Sequence, residues 1–201
     1  RTSWLDKSIT GSIPNPDPNG DRLNYNVAGL DALHQGVELD FRFNATEKLS
    51  VTGMVSLGDW QWKNDTRGVV EDESGAILET IEVFAKDLKV SDAAQTTFAV
   101  GVNYKLLPTT FVYLDYNHAD DIYAKYYITD RNNASNREDS WKMPSYDLVD
   151  FGLNHKFMIA DFNATLNAKV NNIFNVEYIS DAYDGPTSSQ SDATVYYGTG
   201  R

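Results

Sequence analysis

The side chains that most often carry chemistry are few in this chain and far apart. The sequence has no Cys, which excludes a disulfide, a thiolate metal site and a cysteine nucleophile. Long stretches separate the three histidines, His34, His118 and His155, and none has a second His at ligand spacing. The sequence therefore predicts no metal centre built on histidine and no cofactor.

Carboxylates are plentiful, and two acidic runs, 71–73 and 120–121, are formal candidates for acid–base chemistry. Catalysis by paired carboxylates requires one perturbed and one positioned group in a cleft. Both runs fall in polar segments or near the outer end of a strand, so we interpret them as solvated charge. The sequence also lacks a nucleophile motif, a phosphate-binding loop and a metal cluster, and we expect a protein that is not an enzyme.

Oxygen donors crowd into one short segment, where Asp17, Asn19 and Asp21 alternate with Pro18 and Gly20. Hard cations such as Ca²⁺ favour oxygen ligands. The spacing does not match the EF-hand loop, and Pro and Gly stand in their usual turn roles. We interpret the segment as a turn, with a calcium site as the weaker alternative.

Composition limits the partners of this chain. Of its 201 residues 41% are hydrophobic, including 4 Trp, 12 Tyr and 9 Phe, which is enough apolar material for an ordered domain. The formal net charge of -12 repels phosphate backbones, and no basic stripe offsets it. We therefore expect no nucleic-acid partner.

The elements that position these residues follow a two-residue period, which is typical of β-strands. In 162–170, for example, Phe162, Leu166 and Val170 share one face while Asn163 and Asn167 share the other. Segment 111–116 is apolar on both faces until Asp115. The alternating segments are 37–43, 49–57, 98–104, 149–157 and 162–170.

The connections fall into two length classes that take turns along the chain. Short turns at one rim and long loops at the other are typical of outer-membrane β-barrels. The pattern predicts about eight antiparallel strands in up-and-down order, the wall of a transmembrane β-barrel. The short connections are 45–48, 107–110 and 159–161, and the long polar ones are roughly 9–22, 63–92, 125–144 and 180–194.

A soluble β-sandwich is the main structural alternative, because antiparallel sheets with one wet face also alternate. The chain has no apolar run long enough for a spanning helix, whereas a spanning strand needs only ~9–11 alternating residues. The difference in loop length favours the barrel. Amides on the polar face, such as Asn163, Asn167 and Asn171, also suit a lumen better than the usual Lys and Glu of a solvated surface.

Several stretches of the chain, taken in this order, form a recognisable series. In 26–40 a glycine, an aliphatic residue and a glutamate (Gly36-Val37-Glu38) follow an Asn-led stretch, and 49–62 continues it. The stretch 92–97 precedes 101–104, and the most specific stretch is 167–179, with Asn171-Asn172-Ile173-Phe174-Asn175. Together these stretches resemble the barrel of TonB-dependent receptors as it occurs in Bacteroidetes-like proteins, in which 26–40 and 49–62 resemble a descending strand and the ascending strand after it. The stretch 167–179 resembles the family's penultimate strand, and 196–201 resembles the start of the last strand.

The resemblance implies that residues 1–201 are the carboxy-terminal portion of a barrel of 22 strands, without the plug domain and the amino-terminal strands and with the last strand truncated. The first residues lack the features of a signal peptide and read as a strand already under way, so we expect a cut amino terminus. The implied partners are the remainder of the barrel and its plug, the TonB complex acting through the plug region, outer-membrane lipid and a small extracellular ligand. The implied location is the outer membrane of a Gram-negative bacterium.

The aromatic residues form two groups according to which end of the strands they lie near. Beside the short turns, Tyr104, Phe111, Tyr113 and Phe157 fit a periplasmic-side girdle. Near the long loops the aromatics fit an outer girdle, packing within loops, or contact with a ligand. The ligand-contact candidates at this end are Trp60, Trp62, Tyr126, Tyr127 and Trp141, with Trp141 and Tyr127 in the most polar surroundings.

The function implied by the resemblance is active import of a scarce nutrient, energised through TonB. Its ligand is a ferric siderophore, haem, a corrinoid, a peptide or a glycan. The first alternative is a self-contained small outer-membrane barrel with a structural or adhesion role. The second is a soluble sandwich that binds carbohydrate through exposed aromatics.

Overall fold

The computed structural model describes residues 1–200, and the fold is all-β. Within these residues the one helical element is a short 3₁₀ helix at Ile128–Asp130. No helix of residues 1–200 is both long and apolar enough to cross a membrane. The strands are β1 (Thr2–Ile13), β2 (Leu23–Asn44), β3 (Leu49–Trp62), β4 (Thr66–Glu71), β5 (Ile77–Val83), β6 (Thr96–Leu107), β7 (Thr110–Asp120), β8 (Tyr146–Ile159), β9 (Phe162–Val170), β10 (Ile179–Tyr183) and β11 (Thr194–Tyr197).

Nine of the strands form one antiparallel sheet that curves into an open half-barrel. Six of them, β2, β3, β6, β7, β8 and β9, lie side by side in chain order and are called the wall below. β1 pairs with the first half of β2, on the edge of β2 that faces away from β3. β4 pairs with residues 24–27 of β2, beyond the end of the pairing between β2 and β3, and β5 pairs with the outer edge of β4. β10 and β11 form a separate hairpin.

Two edges of the wall have no strand partner within residues 1–200. β1 covers β2 from Leu23 to His34, so the same edge of β2 is free from 35 to 44. β9 pairs with β8 and leaves its other edge free. Each free edge exposes a row of backbone N–H and C=O groups, which are able to hydrogen-bond to a further strand.

The predicted alternating segments and short turns are confirmed. All five segments lie in wall strands, and the three turns join β2 to β3, β6 to β7 and β8 to β9. Local chemistry closes the first of these turns, because the hydroxyl of Thr46 accepts hydrogen bonds from the backbone N–H groups of Lys48 and Leu49. Consecutive wall strands are therefore antiparallel neighbours, as the up-and-down order requires.

The long connections differ from the prediction, since three of them contain strands. Segment 9–22 begins inside β1, 63–92 contains the hairpin of β4 and β5, and 180–194 overlaps β10 and β11. The count of strands is therefore higher than the predicted eight. The acidic turn between β4 and β5 hid their alternation, since Asp72 accepts hydrogen bonds from the backbone N–H groups of Ser74 and Ala76 and so closes a tight hairpin.

Strand register sorts the side chains of the wall by polarity. One row across all six strands is apolar throughout, and the next row along the strands is mostly polar. The apolar row is Phe43, Val51, Val102, Leu114, Phe151 and Val170. The next row is Arg42, Thr52, Gly101, Asp115 and Asp150.

The apolar face of the wall is uncovered within residues 1–200. Val37 is 68% exposed, Leu39 61% and Phe43 62%, and Phe162 at the far edge is 76% exposed. Monomeric soluble proteins rarely expose contiguous apolar patches larger than a few hundred Å². This face extends over all six strands of the wall.

The polar face lines the hollow of the half-barrel. Its side chains border a depression of about 520 Å³ that contains Asp40, Arg42, Asp115, Asp150 and Lys169. Lys169 and Asp150 form an ion pair at 3.0 Å across β8 and β9. The hollow is thus lined by charged and hydrogen-bonding groups.

Two of the aromatics predicted for the periplasmic-side girdle do not lie on the apolar face. Phe111 and Tyr113 face the hollow, because Val112 and Leu114 occupy the apolar positions of β7. The ring of Tyr113 covers Gly152 on the neighbouring strand, in the space that a side chain at that position would need. Tyr104 lies in the apolar register and agrees with the prediction.

Buried hydrophobic side chains are confined to the long-loop end of the sheet. They form two groups, which we call the first and the second loop cluster. The first contains Tyr25, Val27, Leu30, Ala32, Trp62, Val70, Val83, Ala85, Leu88, Val90 and Ile128. The second contains Ala119, Ile122, Ala124, Met143, Ile179 and Ala182.

Substitution of Gly36 tests whether the close approach of the β2 and β3 backbones stabilises the wall. Gly36 pairs with Gly58, and a Cβ at Gly36 would clash with the carbonyl oxygen of Leu57, which is backbone and unable to swing away. We expect Gly36→Ala to destabilise the protein by about 1–3 kcal/mol, measured from urea unfolding in detergent. Gly53→Ala is the matched control, since its Cβ meets only the ring of Phe41. Equal unfolding midpoints for the two variants would contradict this interpretation.

Candidate functional site

The long-loop end gathers the aromatic residues that the sequence proposed for ligand contact, but it places them in three separate positions. Trp62 is buried in the first loop cluster, with Trp60 and Tyr126 packed against it. Trp141 packs against the second loop cluster. Tyr127 is about half exposed and stacks on Tyr183, at 5.7 Å between ring centroids. Trp62 therefore serves packing, and Tyr127 remains accessible to a ligand.

A buried arginine joins two of the loops. The guanidinium of Arg131 lies 4.4 Å from the ring centroid of Tyr126 and donates a hydrogen bond of 2.9 Å to the carbonyl of Glu138. It also lies 3.7 Å from the carboxylate of Asp184, and both side chains are almost fully buried. Asp184 in turn accepts hydrogen bonds from the backbone N–H of Trp141 and the hydroxyl of Ser188. This network fixes the loop 125–144 against the loop 184–193.

Between these two loops lies a cavity of about 430 Å³, which we call the loop pocket. Burial raises the pKa of Tyr126 to about 12, so its phenol stays protonated at neutral pH. Burial also raises the pKa of Asp130 above its ordinary range. The pocket combines carboxylates, amides, a guanidinium and a ring, a mixture that suits a small polar ligand. Its lining residues are Tyr126, Asp130, Arg131, Asn132, Asn136, Asp184, Gly185, Pro186 and Ser188.

Ion pairs between residues distant in sequence hold the loops in place. Lys125 lies 2.8 Å from Asp181 and 3.0 Å from Asp92, and hydrogen bonds to these two carboxylates raise the pKa of its ammonium. Asp120 and Asp121, predicted as solvated charge, both lie beside Lys142, at 3.2 and 2.6 Å. Sequence reasoning did not find these pairs because nothing in the local pattern shows which distant charges meet.

The segment proposed as a weak calcium site forms a hydrogen-bonded turn. The carboxylate of Asp17 accepts a hydrogen bond from the backbone N–H of Asn19, and the carbonyl of Asp17 accepts one from Gly20. The amide of Asn15 donates to the carbonyl of Asp21 and closes the turn. In residues 1–200 no cluster of three or more His, Asp or Glu side chains has the arrangement of a metal site.

Comparisons with protein-family models, with curated proteins and with solved structures find no match to this chain. The geometry of the site therefore carries the functional argument. The fold defines an antiparallel half-barrel with an uncovered apolar face, a polar hollow and a loop end that contains a pocket.

The Asp65–Arg137 pair predicts how the loops respond to acid. Arg137 donates two hydrogen bonds to Asp65, at 2.7 and 2.9 Å, and holds the pKa of that carboxyl at about 2, below its ordinary value. Because the folded-state pKa is depressed, the stabilisation is present above the ordinary value and is lost as the pH falls towards 2. We expect protection of the Lys86 amide, which donates to Asp65, to decrease over that window in hydrogen exchange corrected for intrinsic rate.

The variant Asp65→Asn separates this effect from general acid unfolding. We expect it to lower the Lys86 protection at neutral pH by a small amount, since the pair is partly exposed and screened by salt. Asp65→Asn should also abolish the decrease in Lys86 amide protection that the wild type shows as the pH falls towards 2. Asp161→Asn, in the short turn between β8 and β9, is the control and should behave as the wild type. A wild-type amide protected equally across the window would show that the pair does not hold this loop.

Proposed function

We propose that this chain forms part of the wall of an outer-membrane β-barrel in a Gram-negative bacterium. The observation that supports this most is the register of the wall, which places apolar side chains on its uncovered face and polar ones in the hollow. Outer-membrane barrels have the same polarity, with an apolar band towards lipid and a polar interior. The alternation of short turns and long loops supports the same proposal.

The size of the apolar face sets the free-energy cost of leaving it in water. Burying a large apolar side chain is worth about 1.5–3 kcal/mol, and the wall exposes many of them. Even at half that value for partly exposed residues, leaving the face in water costs on the order of 10 kcal/mol. A typical domain has a net stability of only about 5–15 kcal/mol, so the face requires an apolar environment. The hydrocarbon core of a membrane is such an environment, and within it the face needs no second sheet to cover it.

We further propose that the barrel is a TonB-dependent receptor that imports a scarce nutrient. The sequence resemblance supports this assignment, and so does the architecture of the loop end, where a pocket lies between loops that ion pairs and a buried arginine fix in place. In such a receptor the free edges of β2 and β9 pair with further strands of the same barrel, since open edges within lipid leave backbone groups unsatisfied. The plug fills part of the hollow and connects the barrel to TonB.

The ligand proposed for this receptor is one of the small nutrients that such barrels import: a ferric siderophore, haem, a corrinoid, a peptide or a glycan. The loop pocket is the part of the site that meets the ligand first, because it lies at the long-loop rim. Tyr127 and the polar lining of the loop pocket are the groups able to contact it there.

A charge on the apolar face tests the membrane proposal. Leu166 lies near the middle of β9 on that face and is 52% exposed, whereas its neighbour Asn167 faces the hollow. An arginine at the bilayer midplane costs about 2–4 kcal/mol in outer-membrane barrels, while lumen positions tolerate it. We expect Leu166→Arg to reduce the amount of folded protein in the outer membrane strongly and Asn167→Arg to leave it nearly unchanged. Equal losses for both variants, or none for Leu166→Arg, would contradict a lipid-facing wall.

Capture by TonB tests the receptor proposal separately. The whole protein that carries this chain is extracted in detergent and passed over the immobilised periplasmic domain of TonB from the same bacterium. We expect specific retention, with an outer-membrane porin as the negative control. A protein that assembles in the outer membrane but is not retained would favour the self-contained barrel with a structural or adhesion role.

A further inference from the structure

Three aromatic rings form a row across β1, β2 and β3, beside the first loop cluster. The ring centroids of Trp4 and His34 are 4.2 Å apart, and those of His34 and Trp60 are 5.2 Å apart. Strand pairing fixes the row, since Trp60 is the register partner of His34 and Thr2 pairs with His34 on the other side. We call Trp4, His34 and Trp60 the aromatic row.

The aromatic row faces the hollow. The pairing of β2 with β3 has no register shift between His34 and Arg42, and Arg42 lies in the hollow-facing row with Thr52. Side chains two positions apart on a strand share a face, so His34 and Trp60 have the same orientation as Arg42 and Thr52. Trp4 is 43% exposed and borders the same space.

The indole of Trp60 lies close against the sheet. A Cβ added at Gly58 would be 2.9 Å from the indole nitrogen and 3.2 Å from the adjacent ring carbon. The ring therefore occupies the space that a side chain at position 58 would fill, and Gly58 leaves room for it. The ring is therefore packed against the sheet, the ring of His34 and the first loop cluster, and it remains partly exposed.

Hydrogen-bonding groups lie further along the same face of the sheet. Glu38 is four positions from His34 on β2, roughly 13 Å at the rise of a strand, and its register partner is Ser56. The ring nitrogen Nδ1 of His34 is buried and has no hydrogen-bond partner. Aromatic rings, with a carboxylate and a hydroxyl further along the same face, suit an extended ligand that has both apolar ring faces and hydroxyl groups.

The charges around the row do not favour an anion. Lys7 holds its ammonium 5.2 Å from the ring centroid of Trp4, while Glu38 and Asp40 bring two carboxylates on the β2 side. The chain as a whole carries a formal net charge of -12. An anionic ligand entering this hollow meets an unfavourable potential, whereas a neutral one does not.

We propose that the aromatic row is a binding subsite for a neutral saccharide. One sugar ring of a saccharide chain stacks on the exposed part of the Trp60 indole, and a hydroxyl of a sugar further along the same chain donates to the carboxylate of Glu38. The subsite lies on the hollow face of the sheet beside the first loop cluster, against which Tyr126 of the loop pocket also packs. This assignment rests on the proposed import function, because it requires the hollow to be a path for solute.

Calorimetry on the whole protein in detergent tests the subsite. The probes are neutral hexasaccharides of glucose, mannose and xylose, with an acidic hexagalacturonide as the charged comparison. We expect one or more neutral probes to bind, and Trp60→Ala to weaken that binding about tenfold or more. Trp60→Phe should have a smaller effect because it retains a ring, and Glu38→Gln should weaken binding without changing the fold. The control Phe151→Leu, on the apolar face, should bind as the wild type.

Three results would overturn the proposal. They are no binding of any neutral probe at millimolar concentration, tighter binding of the acidic probe, and neutral-probe binding that survives both Trp60→Ala and Glu38→Gln. The arginine substitutions on β9 are measured on the same preparation. Saccharide binding by a protein that does not assemble in the outer membrane would reject the import function and leave the subsite intact, and the converse result would reject the subsite alone.

Discussion

The hydrogen-bonded register of the wall is the constraint on which the rest of the structure depends. Side chains alternate on a strand, so a shift of one residue in any pair would move a whole strand's apolar set into the hollow. Six strands keep their apolar positions in line, from Phe43 on β2 to Val170 on β9. The uncovered apolar face and the polar hollow both follow from this register.

The two ends of the sheet are stabilised in different ways. Away from its long-loop end, the wall has no buried hydrophobic side chains within residues 1–200, and backbone hydrogen bonds between neighbouring strands hold it together. The long-loop end has two compact clusters of buried side chains, together with the Arg131–Asp184 contact and the ion pairs of Lys125 and Lys142. Under the proposed import function, these contacts hold the binding groups of the loop end in position before a ligand arrives.

The sequence predicted the wall well because its signal is local. Two-residue alternation and short turns are properties of neighbouring residues, and the strands from Val37 to Val170 followed from them. The loop end was predicted poorly because its contacts join residues far apart in the chain, such as Arg131 with Asp184 and Arg137 with Asp65. The same reason explains the aromatic residues. Position along the strand indicated Trp60 and Trp62 together, but only packing distinguishes the partly exposed Trp60 from the buried Trp62.

Spin labels placed one at a time along β9 test the lipid-facing wall most directly, since residues 1–201 contain no Cys that would compete for the label. Each single-cysteine variant from Phe162 to Val170 is inserted in lipid bilayers, and its accessibility to oxygen and to a water-soluble nickel chelate is measured. We expect a period of two, with the even positions accessible to oxygen and the odd positions to the chelate. Chelate access at Ala164, Leu166 and Ala168, or protection of these positions from both reagents, would contradict the account.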